Sequence, residues 1–372
     1  MMKCCSCGSD LIELWDLGQQ PVSFQFKSDA DCVPLKLCEC ICCGLIQLEQ
    51  SIDEVTLRTM PEWMGYSEPE AHLSQLAEFC RKECAMSRRT RVQILSQHDL
   101  PLAGALGLPT EGLEENSQAC ERPNPWVVEG MLNQWIKDNI TCEVVLARRI
   151  FEHFEYPGKI LDMLRRLNCR YLVLELPDST KSLVDGDVTM IWEEHKTYFT
   201  LDTLKNTLAA NGWDIIAKRI WEDAQEDVLV VIATPAAPLV RPPTFFKEGQ
   251  NFGSRFVELC EQHAQNIRSF LAAAGTSAIL GVGHRCAAFV NYNCIQNYVS
   301  SAHDDNEYKS GQFLPGTNTQ ITSTRKIDLN TRIGLLAMSS ARAIKVRNSL
   351  QEKYNKTKFK SIFPCSPLFR FH

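Results

Sequence analysis

Eight of the chain's seventeen cysteines fall in its first 43 residues: Cys4, Cys5, Cys7, Cys32, Cys38, Cys40, Cys42 and Cys43. Two of the spacings match, Cys4-x-x-Cys7-Gly8 and Cys40-x-x-Cys43-Gly44. Each sets two thiolates on one tight turn, and the glycine that follows tolerates the bend and lets amides approach the sulfurs. Four thiolates complete a tetrahedral shell with no open position. The implied chemistry is therefore structural metal binding, with zinc the leading ion. Cys5, Cys38 and Cys42 offer other pairings; Cys4, Cys7, Cys40 and Cys43 are preferred because both pairs share the Cys-x-x-Cys-Gly pattern. The competing reading is a group of buried or reactive cysteines without metal.

Two further constellations hold chemistry-bearing residues. Glu193-Glu194-His195-Lys196 contains an imidazole that titrates near neutral pH, a suitable general base; read alone, the same run is an ordinary solvated face. Gly281-Val282-Gly283 follows the apolar run Ala278–Leu280, so it could accept a phosphate at a helix N-terminus with Arg285 assisting, or simply make a tight turn. No Ser-His-Asp arrangement, Walker loop or catalytic zinc signature is present.

These residues need elements to position them. A chain of 372 residues with 44% apolar and 23% charged residues is long enough for two or three packed domains. The net charge of -6 and the lack of a basic run argue against nucleic acid as a partner. With neither a signal-peptide core nor a long apolar run, a cytoplasmic, non-membrane protein is expected, in a reducing compartment where clustered cysteines signal metal. Periodicity predicts an amphipathic helix over 69–86 and strands at Arg91–Leu95 and Glu143–Ala147, with an irregular stretch and a helix near 126–138 between them. A helix through Ile160–Leu167, a strand at Tyr171–Leu176, a helix from Leu201 ended by Gly212, and a strand pair, Trp213–Arg219 and Asp227–Thr234, follow. The proline-rich Pro235–Pro243 reads as a linker. Beyond it come a helix bearing Phe256 and Leu271, strands at Ala278–Val282, near Tyr298, at Ile333–Ala337 and at Phe359–Phe363, and helices from about Cys286 and over 339–352. The fold class is α/β: a metal module (1–58), a Rossmann-like domain (59–238) and a C-terminal Rossmann-like α/β domain (239–372).

Four segments in order resemble the zinc-containing sugar C-methyltransferases, which act on nucleotide-linked keto-deoxysugars with S-adenosylmethionine. They are the cysteine module with Asp16-Leu17-Gly18-Gln19-Gln20-Pro21 and Cys43-Gly44-Leu45-Ile46-Gln47-Leu48; Arg149-Ile150-Phe151-Glu152-His153-Phe154; Leu174-Glu175-Leu176-Pro177 followed by Glu194-His195-Lys196-Thr197-Tyr198-Phe199; and Gly281-Val282-Gly283-His284-Arg285 with Asp305-Asn306, Lys309, Gly311 and Leu314-Pro315-Gly316-Thr317.

The resemblance implies that His195 removes a proton from carbon next to a ketone, that Glu194 orients the imidazole or binds the sugar, and that Tyr66 polarises the keto oxygen. It makes Arg285 and Lys309 candidates for nucleotide-sugar contacts. Trp192 and Glu193 depart from it, standing where the family has a tyrosine and a histidine. The donor turn departs further. The family's acid-x-Gly-Ser-Asn-Asp-Gly aligns with Ile94-Leu95-Ser96-Gln97-His98-Asp99-Leu100, leaving Ser96 and Asp99, with Glu114 as the expected ribose acid, to hold S-adenosylmethionine. That leaves the donor pocket either remodelled or lost. The readings are a C-methyltransferase, a relative performing another proton-transfer, elimination or cyclisation step on a small molecule, or a non-catalytic partner subunit.

Overall fold

The computed structural model describes residues 3–61, 63–64, 70–87, 89–108, 124–223, 226–237 and 252–371. The chain opens with three antiparallel strands, β1 (Leu11–Pro21), β2 (Cys32–Cys40) and β3 (Ile46–Leu48). Two short helices, α1 (Glu54–Leu57) and α2 (Leu73–Glu83), lead to β4 (Val92–Ile94). The helix expected over 69–86 is thus shorter. Then come α3 (Leu100–Ala105), α4 (Pro125–Lys137), β5 (Val144–Arg148), α5 (Pro157–Arg166), β6 (Tyr171–Asp178), α6 (Thr180–Asp185), β7 (Thr197–Tyr198), α7 (Leu201–Ala210), β8 (Trp213–Trp221) and β9 (Asp227–Pro235). The central sheet has the order β4-β5-β6-β9-β8. Its first three strands are parallel, and β8–β9 closes it as an antiparallel pair, as the sequence implies.

Residues 144–147 and 172–174 are apolar without alternation because both faces of this sheet are covered. Val145, Leu172, Leu174 and Val231 face α4, α5 and α7 on one side, while Val144, Leu146, Val173 and Val230 face α2 and α3 on the other. Among the described residues β4 is the outer edge. A doubly wound sheet continues past its first strand, and ligands bind where the strand order reverses. Residues 109–123, which lie between α3 and α4 in the chain, fall outside the described residues, as do Tyr66, Glu114 and most of the expected linker.

The second α/β unit begins with α8 (Phe252–Ala274) and continues through β10 (Ser277–Leu280), α9 (His284–Tyr292), β11 (Ser301–His303), β12 (Ile321–Thr322), β13 (Ile333–Leu336), α10 (Ser340–Gln351) and β14 (Lys358–Ser361). Its parallel sheet has the order β12-β11-β10-β13-β14. The strand expected near Tyr298 starts at Ser301 instead. Tyr298 ends a single 3-10 turn whose carbonyl accepts from Ser277 Oγ, so the chain must leave that turn before it can pair.

The three parts interlock. The N-terminal sheet takes β7 as its fourth strand, pairing Gln47 with Thr197 and Ile46 with Tyr198. Cys4, Cys40, Cys43 and Leu45 pack into the core of the central sheet. Val22, Phe24 and Phe26 pack with Ile279, Phe289 and Leu335 of the last unit. No helix among the described residues is long and apolar enough to cross a membrane.

Candidate active site and thiolate centre

The two cysteine turns fold in the same way. Cys4 N–H donates to Ser9 O and Gly8 N–H to Cys4 O; Cys40 N–H donates to Leu45 O and Gly44 N–H to Cys40 O. Gly8 and Gly44 both sit at φ +70°, the left-handed region that the pattern requires. Amides of Ser6, Cys42 and Cys43 point at the sulfurs of Cys4 and Cys40 at 3.4 Å. The four sulfurs lie within 4.8 Å of one another, with Cys4–Cys43 at 3.7 Å and Cys7–Cys40 at 3.4 Å. A tetrahedron of Zn–S bonds near 2.3 Å has edges of about 3.8 Å, so the set fits such an ion. Cys5 is turned away, its thiol on Gln47 Oε1.

The second centre is built from three stretches. Phe151–His153 forms a 3-10 turn just after β5, where His153 is buried. Trp192–His195 forms a turn closed by His195 N–H to Trp192 O at 2.9 Å. His284 opens α9. The His153 and His195 rings meet edge to face at 4.8 Å, Trp192 lies 4.7 Å from His195, and His284 stacks on Trp192 at 4.3 Å and 21°. Ligating atoms of Glu152, His153 and His195 lie within 4.8 Å of one another, a grouping that could hold a metal ion.

Burial, then the neighbouring His153, His284 and Arg285, hold His195 well below the usual histidine range. Burial, against a hydrogen bond to the Glu194 backbone, brings His153 down to about 3; burial and then Arg285 bring His284 to about 3. All three imidazoles are therefore neutral at pH 7, with a lone pair able to accept a proton.

The reading of Glu193–Lys196 as a solvated face does not hold. Glu193, Glu194 and Lys196 are all buried. Lys196 Nζ donates to Glu49 O at 2.9 Å and Glu155 Oε1 at 2.7 Å. The departures at Trp192 and Glu193 act together: the Trp192 indole donates to Ser23 Oγ, whose hydroxyl and amide both donate to Glu193 Oε1. This ties the His195 turn to the segment that follows β1.

On the donor side, Asp99 is fully buried and its carboxylate accepts from the amides of Leu95 (3.0 Å), Ser96 (2.9 Å) and Arg148 (2.7 Å). Burial pushes it up to about 6 against those bonds. Arg148, the last residue of β5, donates to His98 O in the turn after β4 and, through two nitrogens, to Glu175 within β6 at 2.8 and 3.0 Å. Arg149, at φ +53°, adds a contact to Glu175 at 3.3 Å, and His72 another at 3.2 Å. Nothing in the sequence singled out this network except an Arg-Arg pair directly after an apolar strand.

In the last unit, Arg285 pairs with Glu226 at 2.9 Å and Asp187 at 3.8 Å, and Lys309 donates to Val282 O at 2.6 Å and Asp304 Oδ2 at 3.1 Å. Asp304 Oδ2 also takes the Val282 amide of the Gly281–Gly283 turn. Both candidate cations are thus already engaged with the chain's own groups. His284 is the site residue that sequence reasoning left without a role; its only signal is a position directly after Gly283.

No family model matches the chain, and no curated protein matches it. Among solved structures it is similar to magnesium protoporphyrin IX methyltransferase from Synechocystis PCC 6803 (13% identity, 46% of this chain and 90% of that one, TM-score 0.32). Others are the [4+2]-cyclase SpnF (9%, 47% and 86%, 0.29) and the N-terminal domain of EvdMO1 with SAH bound (13%, 50% and 98%, 0.29). At these TM-scores the likenesses decide neither family nor activity, and the reading below rests on the chain's own residues.

Proposed function

We propose that this chain is a methyltransferase-like enzyme whose chemistry is proton removal from carbon next to a ketone, in a nucleotide-linked sugar or another secondary-metabolite intermediate, with His195 as the base. The observation that supports this best is the neutral imidazole pair His195–His153 beside the buried Glu152 and Glu194. A base must be held in one orientation, and the Trp192 turn with its ring contacts to His195 and His153 holds the imidazole so. Glu194 orients the ring, and Tyr66 polarises the keto oxygen. The cysteine set holds a structural Zn2+ whose role is to fix β3, which pairs with β7 two residues beyond His195.

Methyl transfer would add S-adenosylmethionine, a source of an electrophilic methyl group. The described residues of the β4 turn do not fit it. Asp99 is spent on three amides, Ser96 N–H on Asp99, and the side chain of Arg148 on His98 O and Glu175. This favours a second reading in which the same proton transfer proceeds without a donor. The test is incubation of the protein in D2O with a nucleotide-linked 4-keto-deoxysugar, with and without S-adenosylmethionine, followed by NMR and mass spectrometry. Deuterium entering next to the ketone in wild type but not in His195→Ala supports the base; a mass gain of one methyl group only with the donor supports methyl transfer. Equal exchange in both proteins sinks the assignment of His195.

A further inference from the structure

The last unit carries a cavity far from the Gly281 turn. It lies at the N-terminal ends of β13 and β14, whereas that turn follows the C-terminal end of β10. Its volume is about 580 Å3, in the range of small-molecule sites. Arg332, Lys356 and Lys358 line it together with Phe270 and Phe371. Lys358 N–H donates to Arg332 O at 2.8 Å, which sets these two cations on adjacent chains. α8 contributes Asn266 and Ser269, uncharged polar groups.

The charge here is one-sided. Among the described residues no carboxylate lines the cavity, and none of the three cations makes an ion pair. On a chain of net charge -6, some basic side chains elsewhere find acids: Lys36 has three, and Lys159 and Arg285 are paired at 2.6 and 2.9 Å. Lys360 crowds the same edge, its ammonium 5.1 Å above the Phe270 ring, and burial, Lys358 and Arg370 lower its proton affinity. Beneath the cations, Phe270 and Phe371 meet edge to face at 5.5 Å, a preformed aromatic wall.

We infer that this cavity binds a small anion carried on an aromatic body, of the aryl phosphate class, with Arg332, Lys356 and Lys358 on the anionic group and Phe270 and Phe371 against the ring. Neither half suffices alone. Cations in water gain little from a free phosphate, and an aromatic wall gains a modest amount from a ring; a ligand with both uses the two together.

The test is calorimetric titration of the full-length protein with 1-naphthyl phosphate, 1-naphthol and inorganic phosphate. Lys356 and Lys358 are solvent-exposed, so Lys356→Gln/Lys358→Gln should keep the fold, verified by an unchanged melting temperature. One site per chain is expected for 1-naphthyl phosphate, weakened at least about tenfold in the double variant and by added salt, with 1-naphthol and phosphate each at least about tenfold weaker than the conjugate. Absence of binding, equal affinity in the double variant, or phosphate binding as tightly as its naphthyl ester would overturn the inference.

Discussion

The thiolate and imidazole centres gather similar atoms into similar spaces by opposite means. The four sulfurs lie within 4.8 Å of one another, as do ligating atoms of Glu152, His153 and His195. The thiolate centre is made of two turns, each closed by its own backbone bonds and each ending in a left-handed glycine. The imidazole centre draws on the end of β5, the turn before β7 and the first residue of α9, and no repeated spacing marks it. They differ in electrostatics as well: hydrogen bonds among the sulfurs push Cys43 far up and Cys7 far down, whereas burial, before any other cause, lowers His153, His195 and His284 together.

That contrast can be broken most decisively at the metal. Cys40→Ser, or chelation, should abolish binding of one Zn2+ per chain by elemental analysis and loosen β1–β3 by hydrogen exchange. On the order of 10 kcal/mol of binding-linked folding energy is involved. Cys5→Ser and Cys42→Ser should leave the metal in place; losing it there would show that the ligand set is wrongly drawn.

Next in size is His195→Ala. It should cut turnover by about 10²–10⁴-fold while metal content and melting temperature stay near wild type. A collapse of the fold instead would make His195 a packing residue.

The third effect is on stability against pH. His153 and His284 titrate near 3 when folded, against about 6.5 when unfolded. The unfolded chain therefore binds more protons between these values, so stability is intact above about pH 6.5 and falls as pH drops below it. From pH 7 to 5 each should cost about 2 kcal/mol, read by denaturant titration. A His153→Asn chain with an unchanged slope would contradict its neutral burial.

The smallest change is Asn206→Ala. Asn206 Nδ2 donates to Cys43 O at 3.3 Å, linking α7 to the second cysteine turn. Its loss should lower stability by about 1 kcal/mol without releasing the metal.

Much of the central sheet was legible because a strand buried on both faces is written as an uninterrupted apolar run, as at Val144–Ala147 and Leu172–Leu174. The closing pair at Trp213 and Asp227 was equally plain. The helix boundaries at 69–86 and the strand near Tyr298 were less so, since ends depend on caps and on neighbouring turns rather than on periodicity. Of the site, Glu194 and His195 were singled out chiefly by resemblance, and the residues alone left a solvated face as the competing reading. Charged side chains ordinarily face water, and only the partners found in the fold, Ser23 for Glu193 and Glu155 for Lys196, explain their burial.

By itself the sequence determined the cysteine turns, because a Cys-x-x-Cys-Gly turn is closed by hydrogen bonds within six residues and needs no distant partner. It also determined the alternation of strands and helices, because burial is written into periodicity. Only the tertiary structure decided that β7 would complete the N-terminal sheet, that His284 would stack on Trp192, and that Arg148 would reach Glu175. Those contacts join residues 27 to 152 positions apart. They form when separate apolar faces pack, and no local pattern encodes which faces will meet.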